Sequence, residues 1–272
     1  MKNQNKGFSL SWHTAYNRIR VWPIMVQSTL LLLGIPTGHR KVFAIGFNKT
    51  ATTSIHKVFQ KLGMVSVHNT HWRNTKRTYV FLKYQCFTDG APDDFTVLDR
   101  RFKNSKFILN TRDLDEWIDS RLEHIKLGEA GKTTTATPTW DCTDAAVKHW
   151  IVARNSFHQE VLDYFRDRPE DLLVLNYIRE PDPGSKIAGF LGKKRSVTKE
   201  YERSTKKTRE AGSLRNEAQI HRCLRELGVP KSKWKTDIHG PIEAGSTTIW
   251  PYDTSGLTYP NILTPPDLHG DP

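Results

Sequence analysis

The chain has 272 residues, enough for one large α/β domain or two small ones with a sizeable core. Its 41 Lys and Arg against 29 Asp and Glu give a formal net charge of +12, which favours polyanionic partners such as nucleotides, nucleic acid, acidic glycans or an anionic membrane. Three widely spaced cysteines, Cys86, Cys142 and Cys223, form no CxxC pair, and the eleven histidines show no HExxH or Cys/His cluster, which argues against a disulfide scaffold and against a metal.

Residues 1–40 stand apart as an N-terminal helical or apolar arm. Arg18 and Arg20 precede an apolar run over 21–36 that Pro23, Gln27, Ser28 and Gly34 interrupt. The run falls short of the about 20 apolar residues that span a bilayer, and no small-residue cleavage site follows it. Two readings stand: a helix packed on the main domain, or a peripheral membrane contact through residues 18–36. The cysteine usage favours the cytoplasm, with membrane association left open.

The most informative stretch is 41–62, KVFAIGFNKTATTSIHKVFQKL. Residues 41–45 are β-prone, and Gly46 suits the tight exit of a strand-to-helix turn. Ile55, Val58, Phe59 and Leu62 fall at i, i+3, i+4 and i+7, which predicts a helix over 52–62 with one apolar face. The loop then lies at a helix N-terminus, where free N–H groups and the dipole favour a phosphate or sulfate. Lys49 would add a cation, and Thr50, Thr52 and Thr53 three hydroxyls. A Walker A loop would read GxxxxGK(S/T), but here Asn48 stands where the second glycine should be.

Further strands are expected over 64–68, 106–110 (KFILN) and 171–177 (DLLVLNY), and helices over 113–126, 144–167, 184–191 and 214–228. The alternation predicts a parallel sheet with helices on its faces, spanning a single domain over 41–239. Residues 128–142 (GEAGKTTTATPTWDC) are expected as a long loop, and 240–272, rich in Pro, Gly and Thr, as an extended or disordered tail. Residues 193–215 carry nine basic and three acidic side chains.

Residues 104–121, NSKFILNTRDLDEWIDSR, repeat the order strand, turn, amphipathic helix. Arg112 falls at the strand's carboxyl end, where open α/β sheets bind ligands, and Ser120 follows eight residues later. Both could reach one terminal phosphate, the guanidinium as a bidentate donor. The structural alternative is an ion pair of Arg112 with Asp113 or Asp115 at the helix start.

Together, GFNKTATTS, the Arg112 and Ser120 pair, and LLVLNY followed by IAGFLG resemble the sulfotransferase family that uses 3′-phosphoadenosine 5′-phosphosulfate (PAPS). The resemblance runs over roughly residues 41–192. It implies a P-loop NTPase-like sulfotransferase fold, PAPS as co-substrate, no required metal, and transfer of the sulfuryl group to a hydroxyl or amine of an acceptor: a carbohydrate, a lipid or a small molecule. Asn48, Lys49, Thr50, Ala51, Thr52, Thr53 and Ser54 would hold the 5′-phosphosulfate, and Arg112 with Ser120 the 3′-phosphate. Lys206, Lys207, Arg209 and Arg215 would close over that 3′-phosphate. Ala51 stands where the family's loop usually has glycine; a positive φ there would cost of order 1 kcal/mol or more.

Sulfuryl transfer needs an in-line nucleophile, a proton acceptor and positive charge on the leaving oxygen. Lys49 suits the last role. Asp89 lies where the resemblance places the base, with His68 as competitor and His71 and Glu123 behind; a turn role for Asp89 beside Gly90 is the structural alternative. Two other classes compete: a nucleotide kinase-like enzyme, and a non-catalytic polyanion-binding module using residues 193–215. No specific nucleic acid is expected.

Overall fold

The computed structural model describes residues 12–33, 35, 40–130, 142–194, 197 and 214–235, with the backbone alone given for 12–20 and 127–130. Five strands, β1 (Val42–Ala44), β2 (Ser66–His68), β3 (Cys86–Thr88), β4 (Lys106–Asn110) and β5 (Leu172–Leu175), form one all-parallel sheet of order β2-β3-β1-β4-β5. The helices are α1 (Trp12–Leu32), α2 (Thr52–Lys61), α3 (Thr78–Lys83), α4 (Phe95–Arg101), α5 (Leu114–Ala130), α6 (Asp144–Tyr164), α7 (Pro183–Phe190) and α8 (Glu217–Glu226). The architecture is the expected α/β class.

Strand alternation builds two cores. Phe43, Phe87, Phe107 and Leu109 face one side, with Phe43 stacked on Phe87 (5.0 Å between centroids) and Phe107 (5.3 Å), beneath Trp117, Ile118, Ile151 and Phe157 of α5 and α6. Val42, Ala44 and Ile108 face the other, against Ile55, Val58 and Phe59 of α2 and Ile187 of α7. Burial on both faces is what a parallel sheet requires.

β3 and the short helices α3 and α4 come in addition to the elements expected between 68 and 106. α5 extends to Ala130, three residues into the expected 128–142 loop, while residues 131–141 lie outside the described residues, as does the expected tail 240–272.

The N-terminal segment forms α1 and docks on the domain, burying Ile24, Ser28 and Leu31. Its anchor is Lys41, fully buried, whose Nζ donates to Ser28 Oγ (2.6 Å) and to the carbonyls of Phe81 (2.6 Å) and Tyr84 (2.5 Å). Burial lowers the Lys41 pKa to about 7. Among the described residues no helix is long and apolar enough to cross a membrane.

The strand order positions the site. β1 sends its connection toward β2, and β4 sends its own toward β5 on the opposite side. A crevice therefore opens outside the carboxyl ends of these adjacent strands, the place where open α/β sheets receive ligands.

Candidate active site

Residues 46–51 line this crevice. Gly46 is needed for close approach: a Cβ there would lie 1.9 Å from the Asn110 carbonyl oxygen. The turn freedom expected of it is not what it supplies, since its φ is not positive. Its N–H donates to Asn110 Oδ1 (2.9 Å), and Asn110 Nδ2 donates to Thr50 Oγ1. The buried Asn110 side chain thus fastens β4 to both ends of the loop.

The loop's carbonyls point into the protein. That of Phe47 accepts from Thr50 Oγ1 (2.5 Å), that of Asn48 from Trp117 Nε1 (3.0 Å), that of Lys49 from Arg112 Nη1 (3.2 Å), and that of Ala51 from the Ile55 N–H (3.1 Å). Apart from the Gly46 N–H, taken by Asn110, the N–H edge of the loop is left for a ligand. α2 starts with no side-chain cap bond, so its first-turn N–H groups and positive dipole end join that edge. Lys49 (φ 67°) and Ala51 (φ 64°) both sit in the left-handed region. Ala51 therefore occupies the strained kind of seat for which the glycine comparison mattered.

The loop threonines divide. The hydroxyl of Thr50 is engaged within the loop, giving to Phe47 and receiving from Asn110. Thr53 Oγ1 meets His68 Nε2 at 3.2 Å; Thr52 and Ser54 are buried in the first turn of α2.

His68 ends β2. Its Nδ1 lies 2.9 Å from Thr88 Oγ1, which donates its own proton to the Val67 carbonyl (3.2 Å). With the Thr88 proton on the Val67 carbonyl, the network is satisfied by a ring proton on Nδ1 and an Nε2 lone pair that accepts from Thr53. Burial lowers the His68 pKa below its ordinary 6.5, opposed by Asp89 and aided by Arg73, so the ring is neutral near pH 7.

Asp89 follows β3 with φ 99°, and Gly90 continues at φ 108°. The Asp89 carbonyl accepts from Arg73 Nε (2.7 Å), whose guanidinium lies under Gly90. The Asp89 carboxylate acts electrostatically on Lys49, His68 and His124, which puts it near all three. Burial lowers the Lys49 pKa below 10.5, the Arg112 charge adds to this, and Asp89 opposes it.

Arg112 is held by Glu116 at 3.1 Å, not by Asp113 or Asp115 as the alternative reading had it. Asp113 pairs instead with Arg179 (2.7 Å) and Asn176, and Asp115 accepts from the Glu116 N–H. α5 starts at Leu114, so Arg112 lies just ahead of the helix while Glu116 and Ser120 fall at i and i+4 within it, Glu116 engaging Arg112.

Arg215 pairs with Glu123 on α5, and its N–H donates to Asp119 Oδ1 (2.9 Å). Burial would raise the Glu123 pKa, but the hydrogen bonds from Arg215 and Asn216 outweigh it and keep the pKa below its ordinary value. His71 is exposed and bonded to Arg77 (2.7 Å). Lys206, Lys207 and Arg209 lie outside the described residues.

Sequence reasoning missed Asn110, Arg73, Glu116, Arg121 and His124. Arg121 Nη1 lies 3.4 Å from Asn48 Oδ1, and its guanidinium sits over Trp150 (4.4 Å) and Trp117 (5.7 Å). A signal existed for Asn110 alone: a polar residue closing an otherwise apolar buried strand. Comparison with known proteins finds no matching family model and no matching curated protein.

Proposed function

We propose that the chain is a sulfotransferase that moves the sulfuryl group of PAPS to a hydroxyl or amine of an acceptor. The observation that supports this reading is the loop over 46–51: four of its carbonyls accept hydrogen bonds within the protein, the N–H groups of 47–51 remain at a switch-point crevice, and the Asp89 charge acts on Lys49. The loop amides and first turn of α2 hold the 5′-phosphosulfate, and Arg112 with Ser120 takes the 3′-phosphate. The acceptor oxygen or nitrogen attacks sulfur while the bond from sulfur to the bridging phosphate oxygen breaks. That oxygen keeps the electron pair and leaves as part of adenosine 3′,5′-bisphosphate. Lys49 meets its charge, and Asp89 takes the acceptor's proton. His68, neutral and with its lone pair committed to Thr53, orients the first turn of α2.

The decisive experiment is a sulfate-transfer assay against an acceptor panel with Lys49→Ala and Asp89→Asn. Asp89→Asn is expected to lower turnover by roughly 10²–10⁴-fold while leaving adenosine 3′,5′-bisphosphate binding intact. Activity that survives both changes would remove these residues from the chemistry. Binding of ATP with magnesium in preference to the bisphosphate would favour the kinase-like reading instead.

A further inference from the structure

The charge of this chain is unevenly placed. Residues 1–88 contain 13 Lys and Arg and no Asp or Glu; the remaining 184 residues carry the other 28 basic residues and all 29 acidic ones. The entire net positive charge therefore belongs to the first third of the chain, which includes α1, the loop over 46–51 and α3.

The same third carries the exposed large apolar side chains. α1 buries Ile24, Ser28 and Leu31 against the domain, and on its opposite side Trp22 (70% exposed) and Val26, with Leu33 (70%) in the turn that ends the helix, form an outward stripe at i, i+4 and i+11. Ile35 continues this stripe past the helix end, and Tyr79 (64%) stands out from α3, on which α1 packs. Beside Tyr79 the exposed Lys76 and Arg77 flank the start of α3. Every large hydrophobic side chain that is exposed among the described residues belongs to this group. Scattered exposed apolar residues need no explanation; an aligned set in an acid-free third of the chain does.

We propose that the outer face of α1, with the start of α3, is a docking surface for an anionic lipid bilayer, the helix lying in the interface with Trp22, Val26, Leu33 and Tyr79 inserted. The charge pattern selects this occupant: exposed Lys76 and Arg77 beside an apolar stripe, in a third of the chain without a carboxylate, match anionic headgroups over acyl chains. A nucleic acid would match the cations but leave the stripe in water. A second copy would match the stripe but bring two acid-free, cationic segments together. The domain would thus be held at a membrane by α1, itself anchored through Lys41 and Ser28 at the amino end of β1.

The test is co-sedimentation of the full chain with vesicles of phosphatidylcholine alone and of phosphatidylcholine mixed with phosphatidylserine. Binding to the mixed vesicles, weakening as salt rises, is expected. Lys76→Gln with Arg77→Gln should reduce it by about 25-fold, from about fivefold per cation near an anionic surface. Trp22→Ser with Leu33→Ser should reduce it at least about tenfold, with an unchanged melting temperature because both side chains point outward. Adenosine 3′,5′-bisphosphate binding should persist in both variants, so failure here is separable from failure of the sulfotransferase reading. The proposal is overturned by equal or absent binding to the two vesicle types, by full binding of the Trp22→Ser/Leu33→Ser variant, by displacement from a duplex DNA column with no vesicle binding, or by a dimer that this variant dissociates.

Discussion

Replacing Ala51 by glycine is the sharpest perturbation of the loop. Ala51 sits at φ 64° and ψ 29°, where an L-residue with a Cβ pays about 1–2 kcal/mol. Glycine removes that cost but gives the unfolded chain more freedom, which takes back about 0.4–1 kcal/mol. The net gain is about 0.5–1 kcal/mol, which for a domain of this size raises the melting temperature by roughly 1–4 °C. Ala51→Val, with two branches on Cβ at the same φ, should lose stability instead. The assay is calorimetric or urea unfolding of the three proteins, paired with titration of adenosine 3′,5′-bisphosphate. Affinity should rise modestly in the glycine variant, because the methyl group leaves the N–H edge that receives the anion. A glycine variant less stable than the parent would refute the left-handed assignment and the strain argument built on it. Nucleotide binding that appears only in the glycine variant would show the natural loop to be a lapsed donor site.

Three further outcomes are expected. Glu116→Gln frees Arg112 from its partner at 3.1 Å, so affinity for adenosine 3′,5′-bisphosphate should rise about fivefold while that for adenosine 5′-phosphate stays level; an equal rise in both would detach Arg112 from the 3′-phosphate. Because burial, followed by the Arg112 charge, lowers the Lys49 pKa, the cation is lost as pH rises before reaching 10.5; turnover should fall there on an alkaline limb that Lys49→Arg moves upward. Lys41 has its pKa lowered to about 7 from 10.5, so between these values the unfolded chain binds a proton the native protein does not. Stability should therefore rise with pH across that window, by up to about 1.4 kcal/mol per pH unit, a slope that urea unfolding of Lys41→Met should lack.

Much of this architecture was legible because burial writes itself into composition. KFILN and LLVL are apolar runs that a parallel sheet buries on both faces, and the 55, 58, 59, 62 spacing defines α2 before any coordinates. β3 was not legible: three residues, Cys86–Thr88, preceded by Gln85 and followed by Asp89, owe their strand state to pairing with β1 and β2 on either side. The site divides along the same line. Asp89, His68 and Arg112 stand at or just past strand ends and Lys49 in the loop after β1, which local pattern can find. Arg73, Arg121 and His124 arrive from a turn and a helix whose approach depends on packing, and the choice of Glu116 over Asp113 or Asp115 depends on where α5 begins.

Among the described residues four non-glycine positions have positive φ, and three of them, Lys49, Ala51 and Asp89, border one crevice. Such positions cost of order 1–3 kcal/mol each and persist only where the surroundings over-determine them. Here the surroundings do so: Asn110, Trp117 and Arg112 each spend a buried or half-buried donor on holding the loop, and Arg73 spends one on the Asp89 carbonyl. A surface that merely attracted polyanions would need cations but no strained backbone, since long-range charge is indifferent to where single amides point. Fixed amides, by contrast, matter when one tetrahedral group must be held while charge moves from sulfur to a bridging oxygen. The positive φ angles at the loop and at Asp89 are thus in keeping with the proposed group transfer, which needs a single anion held in one orientation.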